Sequence, residues 1–131
     1  PQVCVDVLLE TEAGFLIGKR AIEPLIWFWP GSRLYKGERL DDAAHRIARE
    51  ELGIDVEIVD QYGPYAHFWA ESTAAGSPSR HTVNPVFHVV PAAADVEIDL
   101  DEQHSAYRYV SEIEPDFHEY VELYLTDNDL L

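Results

Sequence analysis

The chain has 131 residues, of which 47% are hydrophobic and 11% aromatic, so it is long enough for one packed domain and too short for two ordinary ones. Its 25 acidic residues outnumber its 9 basic residues, and the formal net charge is -16. A surface this acidic repels nucleic acid and anionic membranes, which excludes both as general partners and confines phosphate binding to a local site.

The first thirty residues predict a hairpin followed by a loop. Residues 3–9 and 15–20 are apolar and rich in β-branched side chains, as is typical of buried strands, and a turn covers residues 10–14 between them. Residues 24–30 contain two prolines and two tryptophans, and we expect them to form a loop.

Residues 40–52 predict the central helix. Leu40, Ala44 and Ile47 recur at the 4-then-3 spacing of one helical face. Gly53 follows the last periodic position and is typical of a helix end.

Further strands are predicted in the second half. Residues 54–59 alternate, residues 62–69 continue the sheet, and residues 72–79 form a small-residue loop that we expect to be mobile. Residues 83–90 predict another strand. Because proline cannot donate to a strand ladder, Pro85 indicates either an edge position or a bulge.

The last third predicts one more strand and one more helix. Residues 91–95 break the sheet, an acidic loop covers 97–102, a short strand covers 107–110 and a helix covers 115–124. Helices separated by runs of strands, without an internal repeat, predict a single domain built as an α/β sandwich.

The remaining composition bears on the cellular setting. Cys4 is the only cysteine, which excludes an internal disulfide and a cysteine-based zinc site. With neither a spanning apolar run nor a charged leader, we expect a cytoplasmic protein, although the chain begins without Met and an N-terminal segment could be missing. An acidic surface with only two lysines predicts a high-salt cytoplasm, where screening removes the self-repulsion.

The segment between Gly31 and Gly53 carries the clearest chemistry. Glu38 lies at the junction of loop and helix, and Glu50 and Glu51 lie near the helix end. Three acids near one helix suit Mg²⁺, which prefers carboxylates together with substrate phosphates. The alternative is a solvated helix in which arginines and acids pair four residues apart. The glycines at fixed offsets on both sides favour the site.

This segment resembles the Nudix box, which reads Gly, five residues, Glu, seven residues, Arg-Glu, two residues, Glu-Glu, one residue and Gly. The matched positions are Glu38, Arg46, Glu50, Glu51 and Gly53. Ser32 replaces the first Gly, and Ile47 replaces the Glu after the Arg. Nudix pyrophosphatases use that acid among their metal ligands, so its loss makes attack at phosphorus less favoured.

One branch of the Nudix family tolerates an aliphatic residue there, and the chain resembles the GDP-mannose mannosyl hydrolases over most of its length. The motifs are Gly18-Lys19-Arg20, Trp27-Phe28, Pro30-Gly31, Glu51-Leu52-Gly53, Tyr62-Gly63, His67-Phe68 and Asp101-Glu102-Gln103-His104. The resemblance implies one Mg²⁺ held by Glu51, Gln103 and the backbone carbonyl of Gly31. Mn²⁺ is the alternative ion, and Glu50 is a further candidate ligand. His104 is implied as the general base.

The resemblance also implies contacts with the substrate. Arg20 and Arg33 would contact the diphosphate or assist its departure, and Arg46 would orient Glu51 or its neighbourhood as part of the substrate-binding region. Asp6 matches a sugar-contacting Asp if a gap of one residue is allowed in the first hairpin.

His67 has two interpretations. Alternation places it on the same strand face as Tyr65 and Trp69, which favours a core histidine with satisfied hydrogen bonds. A substrate-binding role is the second interpretation.

The resemblance implies a Nudix-like α/β/α sandwich with a mixed sheet between helices, and a homodimer. The implied reaction converts a nucleotide sugar, GDP-mannose or a related GDP-hexose, into GDP and free sugar by attack of water at the anomeric carbon. Two alternatives stay open. A pyrophosphohydrolase would use Glu50 and Glu51 for metal binding and attack phosphorus. A nucleotide-sugar sensor would bind without turnover, an alternative suggested by Ser32 in place of the first Gly and by Thr82 in place of a Tyr of the resembled family.

Overall fold

The computed structural model describes residues 1–70 and 79–131. The predicted loop at 72–79 therefore lies outside the described residues, apart from Ser79. The strands are β1 Gln2–Thr11, β2 Gly14–Arg20, β3 Trp27–Phe28, β4 Gly31–Arg33, β5 Val56–Trp69, β6 Arg80–Pro91 and β7 His104–Val110. The helices are α1 Leu40–Ile47, continued by a π-helical segment at Ala48–Leu52 that we call the π turn, and α2 Glu119–Asp127.

The strands form two groups that share the hairpin of β1 and β2. In one group β1 pairs in parallel with β6 and antiparallel with β4, and β5 lies outside β6. In the other group β2 pairs with β3 and β7. β1 and β2 pair with each other only beside their turn, at Glu10 with Phe15 and Thr11 with Gly14. The N-terminal half of β1 pairs instead with β4, with Asp6 opposite Gly31. The two groups of strands therefore separate near Gly31.

Two apolar clusters cover opposite faces of the sheet. The side chains of Val5, Val7 and Leu9 are buried with α1, whereas Leu8, between them in sequence, is buried with α2. This alternation follows from the period of two in a strand. A mixed sheet between two helices confirms the predicted α/β/α sandwich.

Pro85 lies in an interior strand, since β6 is flanked by β1 and β5. Of the two predicted alternatives, an edge position or a bulge, the structure shows the bulge. Tyr62 pairs with Val86 and Tyr65 with Asn84, so the register shifts at the proline. The missing N–H of proline leaves a ladder position unused, and the bulge of β5 occupies that place.

Several predicted boundaries change in the structure. The helix ends at Gly53 as predicted, with a left-handed φ of 68° there, but its last five residues form the π turn. β5 is one continuous strand. β7 begins at His104 rather than at the predicted residue 107. The last helix begins at Glu119, where the His118 side chain accepts a hydrogen bond from Tyr120 N.

Candidate active site

Glu51 points inward from the π turn and is 4% exposed. Its Oε1 atom accepts a hydrogen bond from the backbone N–H of Gly31, at 3.2 Å. The acidic loop before β7 packs across the end of this helix, where Asp99 N donates to Leu52 O at 2.9 Å and Asp101 N donates to Glu51 O at 3.3 Å. These two backbone bonds bring the loop and the helix end together.

His104 completes a three-residue cluster with Glu51 and Asp101. Its Nδ1 lies 2.8 Å from Asp101 Oδ1, and its Nε2 lies 3.8 Å from Glu51 Oε1. The imidazole lies over Gly18, where an added Cβ would be only 2.8 Å from His104 Cδ2. A glycine at this position of β2 therefore leaves the space that the ring fills.

The residues of the cluster fit a divalent cation. One ligand atom from each of Glu51, Asp101 and His104 lies within 4.8 Å of the others. Burial, and then the like charges of Asp101 and Asp6, raise the pKa of Glu51 to about 8. A nearby cation stabilises the ionised form of a buried carboxylate that faces other acids. Carboxylate oxygens are suitable ligands for Mg²⁺ or Mn²⁺.

Asp6 adds a second buried acid beside the cluster. It is 4% exposed, and its Oδ2 accepts hydrogen bonds from Tyr124 Oη at 2.6 Å and Asn84 Nδ2 at 3.0 Å. Burial raises its pKa to about 7, although both hydrogen bonds favour the charged form. Asp6 pairs with Gly31, whose missing side chain leaves room for the carboxylate.

The structure places His67 in the core. The residue is fully buried, and its Nε2 lies 2.5 Å from the hydroxyl of Tyr124, the same group that donates to Asp6. Burial lowers the pKa of His67 to about 4, so the ring is neutral at physiological pH. His67 thus reaches Asp6 through one intervening hydroxyl.

Arg46 organises the loop before α1. Its guanidinium binds Glu38 through two hydrogen bonds of 2.7 and 3.1 Å, and it donates to Glu50 Oε2 at 3.1 Å and to the Arg33 carbonyl at 3.0 Å. The hydroxyl oxygen of Ser32, the residue that replaces the first Gly of the Nudix box, accepts a hydrogen bond from the same guanidinium at 3.4 Å. Arg46 therefore fixes the entrance to the helix.

The other predicted site residues are exposed or form hydrogen bonds outside the cluster. Glu50 is 56% exposed at its side chain and faces Arg46. The side chains of Gln103 and Arg33 are exposed, and the backbone carbonyl of Gln103 accepts from Ala21 N at 2.8 Å. Arg20 donates to the carbonyls of the loop after β2 and is close enough to Glu51 for their charges to interact.

Asp101 joins the cluster, although the sequence predicted no role for it. Its signal was its spacing, three residues before His104, which allows a turn to bring the carboxylate back to the ring. The backbone supports that turn, because His104 N donates to Asp101 O at 3.4 Å.

Comparison with known proteins connects this site to a family. The model of the NUDIX domain matches residues 1–125. The low-salt glycan biosynthesis protein Agl8 of Haloferax volcanii is 39% identical over 127 residues, which cover 95% of this chain and 80% of that protein.

Solved structures share the architecture. A NUDIX hydrolase from Nitrosomonas europaea superposes with a TM-score of 0.62 at 25% identity, over 82% of this chain and only 56% of that one. A MutT NUDIX hydrolase from Burkholderia pseudomallei has a TM-score of 0.67 at 22% identity, over 96% of both chains. Within the described residues, no helix is both long and apolar enough to cross a membrane.

Proposed function

This chain belongs to the NUDIX domain family, and on that premise we propose that it hydrolyses a nucleotide sugar, GDP-mannose or a related GDP-hexose, to GDP and free sugar. The observation that carries the proposal is the 3.8 Å separation of His104 Nε2 and Glu51 Oε1, since a proton acceptor then lies beside a candidate metal ligand. The name of the Haloferax volcanii relative, which refers to glycan biosynthesis, supports a sugar substrate.

The diphosphate explains why one basic side chain suffices. Ordinary glycosidases use one carboxyl group to protonate the departing oxygen and a second opposite it. A nucleoside diphosphate is already a good leaving group, and a bound cation, Mg²⁺ or alternatively Mn²⁺, neutralises the charge that develops on it. We propose that Glu51, Gln103 and the backbone carbonyl of Gly31 would hold the cation. Gln103 is exposed in the structure and would have to turn toward Glu51, whereas Asp101 already lies beside it.

His104 is the general base in this proposal. The oxygen of a water molecule bonds to the anomeric carbon while the bond from that carbon to the diphosphate oxygen breaks. GDP leaves with the electron pair, and the water proton goes to His104 Nε2. Direct attack of this kind inverts the anomeric centre.

Arg20 and Arg33 hold the diphosphate in the proposed complex. The register of β2 and β7 supports this assignment for Arg20, because it pairs Arg20 with His104 of the cluster. Asp6 is the candidate contact for the sugar hydroxyls, since it lies directly beside Gly31. Arg46 positions the loop before α1. His67 contacts the Tyr124 hydroxyl that donates to Asp6 and so helps to position Asp6.

The setting of the enzyme is part of the same proposal. We propose a cytoplasmic homodimer that works at high salt. The charge of -16 supports the salt requirement, because a dense ionic atmosphere screens the repulsion between surface acids.

The position of bond cleavage is the first test. We expect hydrolysis of GDP-mannose in ¹⁸O-water, with Mg²⁺ and molar KCl, to place the label in the sugar and leave GDP unlabelled in mass spectra. Label in GMP or in sugar phosphate would show attack at phosphorus and a pyrophosphohydrolase. Binding without product would show a nucleotide-sugar sensor.

Replacing His104 with Ala tests the base. We expect kcat to fall roughly 10²-fold, the usual contribution of general base catalysis, while the affinity for GDP measured by calorimetry stays nearly unchanged. The matched control is His45→Ala, which removes a histidine of α1 that lies outside the cluster. Equal activity in the two variants would remove His104 from the reaction.

A further inference from the structure

We infer that Asp101 is a positioning residue for His104, holding the imidazole as the tautomer that carries its proton on Nδ1. The catalytic meaning of this inference rests on the proposed function, whereas the tautomer itself does not. The carboxylate and the ring meet at 2.8 Å between Oδ1 and Nδ1.

Hydrogen-bond chemistry sets the direction of this contact. An ionised carboxylate only accepts, so the shared proton belongs to His104 Nδ1. In the neutral ring the lone pair is then left on Nε2, the nitrogen that lies 3.8 Å from Glu51 Oε1. Asp101 thereby leaves the Nε2 atom of His104, on the side of Glu51, free to accept a proton.

The surroundings hold this arrangement. The side chain of His104 is 8% exposed and that of Asp101 is 20% exposed, so water competes weakly for their hydrogen bond. The N–H of Asp101 donates to the carbonyl of Glu51 at 3.3 Å, which ties the carboxylate to the π turn. On its other side the ring packs so closely against Gly18 that a side chain at position 18 would collide with it.

Loss of the carboxylate should change the tautomer. With Nδ1 unpaired, the proton of a neutral imidazole redistributes to Nε2, and a ring protonated there cannot accept a proton from water. Asp101 acts on His104 and not on the substrate in this proposal, so substrate binding should persist while turnover falls.

The experiment follows the His104 tautomer by ¹⁵N NMR in histidine-labelled, metal-free protein, with the signal assigned by its loss in His104→Gln. We expect the wild type to be protonated at Nδ1 and Asp101→Ala to shift toward Nε2. For GDP-mannose with Mg²⁺, we expect kcat of Asp101→Ala to fall roughly 10²-fold, with KM changed less than about threefold. Glu102→Ala is the control, because it removes a neighbouring exposed acid.

A second variant keeps the test decisive if Asp101→Ala folds poorly. Asp101→Asn offers an amide oxygen to Nδ1–H, and we expect its kcat to follow the fraction of Nδ1-protonated ring that the spectrum shows. A fall in kcat without a change of tautomer, or no effect on either, would overturn the inference. A wild type that never cleaves GDP-mannose would refute the proposed function alone, since the spectra still report the role of Asp101.

Discussion

Glu51→Gln is expected to lower metal-dependent turnover by at least about 10³-fold, the largest change that we expect from one substitution. A cation contributes several kcal/mol of transition-state stabilisation, and each 1.36 kcal/mol is a tenfold change in rate. Gln keeps the shape and can still accept from Gly31, but it removes the buried charge that faces His104. The measurements are steady-state kinetics and calorimetric titration with Mg²⁺ and Mn²⁺.

Glu50→Gln is the matched control, because it changes the adjacent acid, which is exposed and binds Arg46. We expect less than about a threefold loss, as for an exposed ion pair. A loss equal to that of Glu51→Gln would show that both acids serve the metal, and would favour the pyrophosphohydrolase.

In metal-free protein, Glu51→Gln should also change how the stability of the fold depends on pH. The folded-state pKa of Glu51, about 8, lies above its ordinary value of 4.5. Between these values the folded protein retains a proton that the unfolded chain releases, so stability falls as pH rises through this window. Glu51→Gln should remove this contribution, and its Tm at pH 8 should equal or exceed that of the wild type.

Arg46→Ala is expected to lower the free energy of unfolding by about 3 kcal/mol, measured by urea denaturation at fixed KCl. Removing one partner of a largely buried ion pair leaves an uncompensated charge. The side chains of Arg46 and Glu38 are 16% and 14% exposed, and the same guanidinium also lies over the Tyr35 ring at 3.8 Å. Several contacts are therefore lost with one side chain.

Arg49→Ala is the control for that measurement. Arg49 lies on the same helix, but its ion pair with Asp55 is exposed at both ends, and we expect a change below about 1 kcal/mol. Similar losses in the two arginine variants would contradict the role of Arg46 in fixing the loop. Arg46→Lys should recover only part of the stability, because an ammonium cannot form the two-pronged contact with Glu38.

The sequence predicted the order of the principal strands and helices because each depends on a local pattern. Apolar, β-branched runs located β1 and β2, alternation located the start of β5, and helical spacing located α1 together with the π turn. The short strands β3 and β4 were not predicted, since two or three residues are too few for a period. The strand position of His104 also escaped prediction, because it depends on pairing with Arg20 across the sheet.

The site was predicted in the same uneven way. The pair of Arg46 and Glu50, four residues apart on one helix, belonged to the alternative of a solvated helix and is present. The pair of Arg46 and Glu38 was not expected, because the loop geometry decides it. The resemblance singled out Glu51 and His104, which the structure brings together, but only the folded acidic loop shows that Asp101 joins them.

The π turn makes the length of the helix as important as its composition. A π-helical turn accommodates one residue more than the α-helical path, and each residue of an α-helix rotates its side chain by about 100°. Deletion of Ala48, the first residue of the π turn, would restore an ordinary helix and rotate the Glu51 carboxylate out of the interior. Such a shortened protein would keep every charged residue of the motif, and we expect it to lose affinity for the proposed cation.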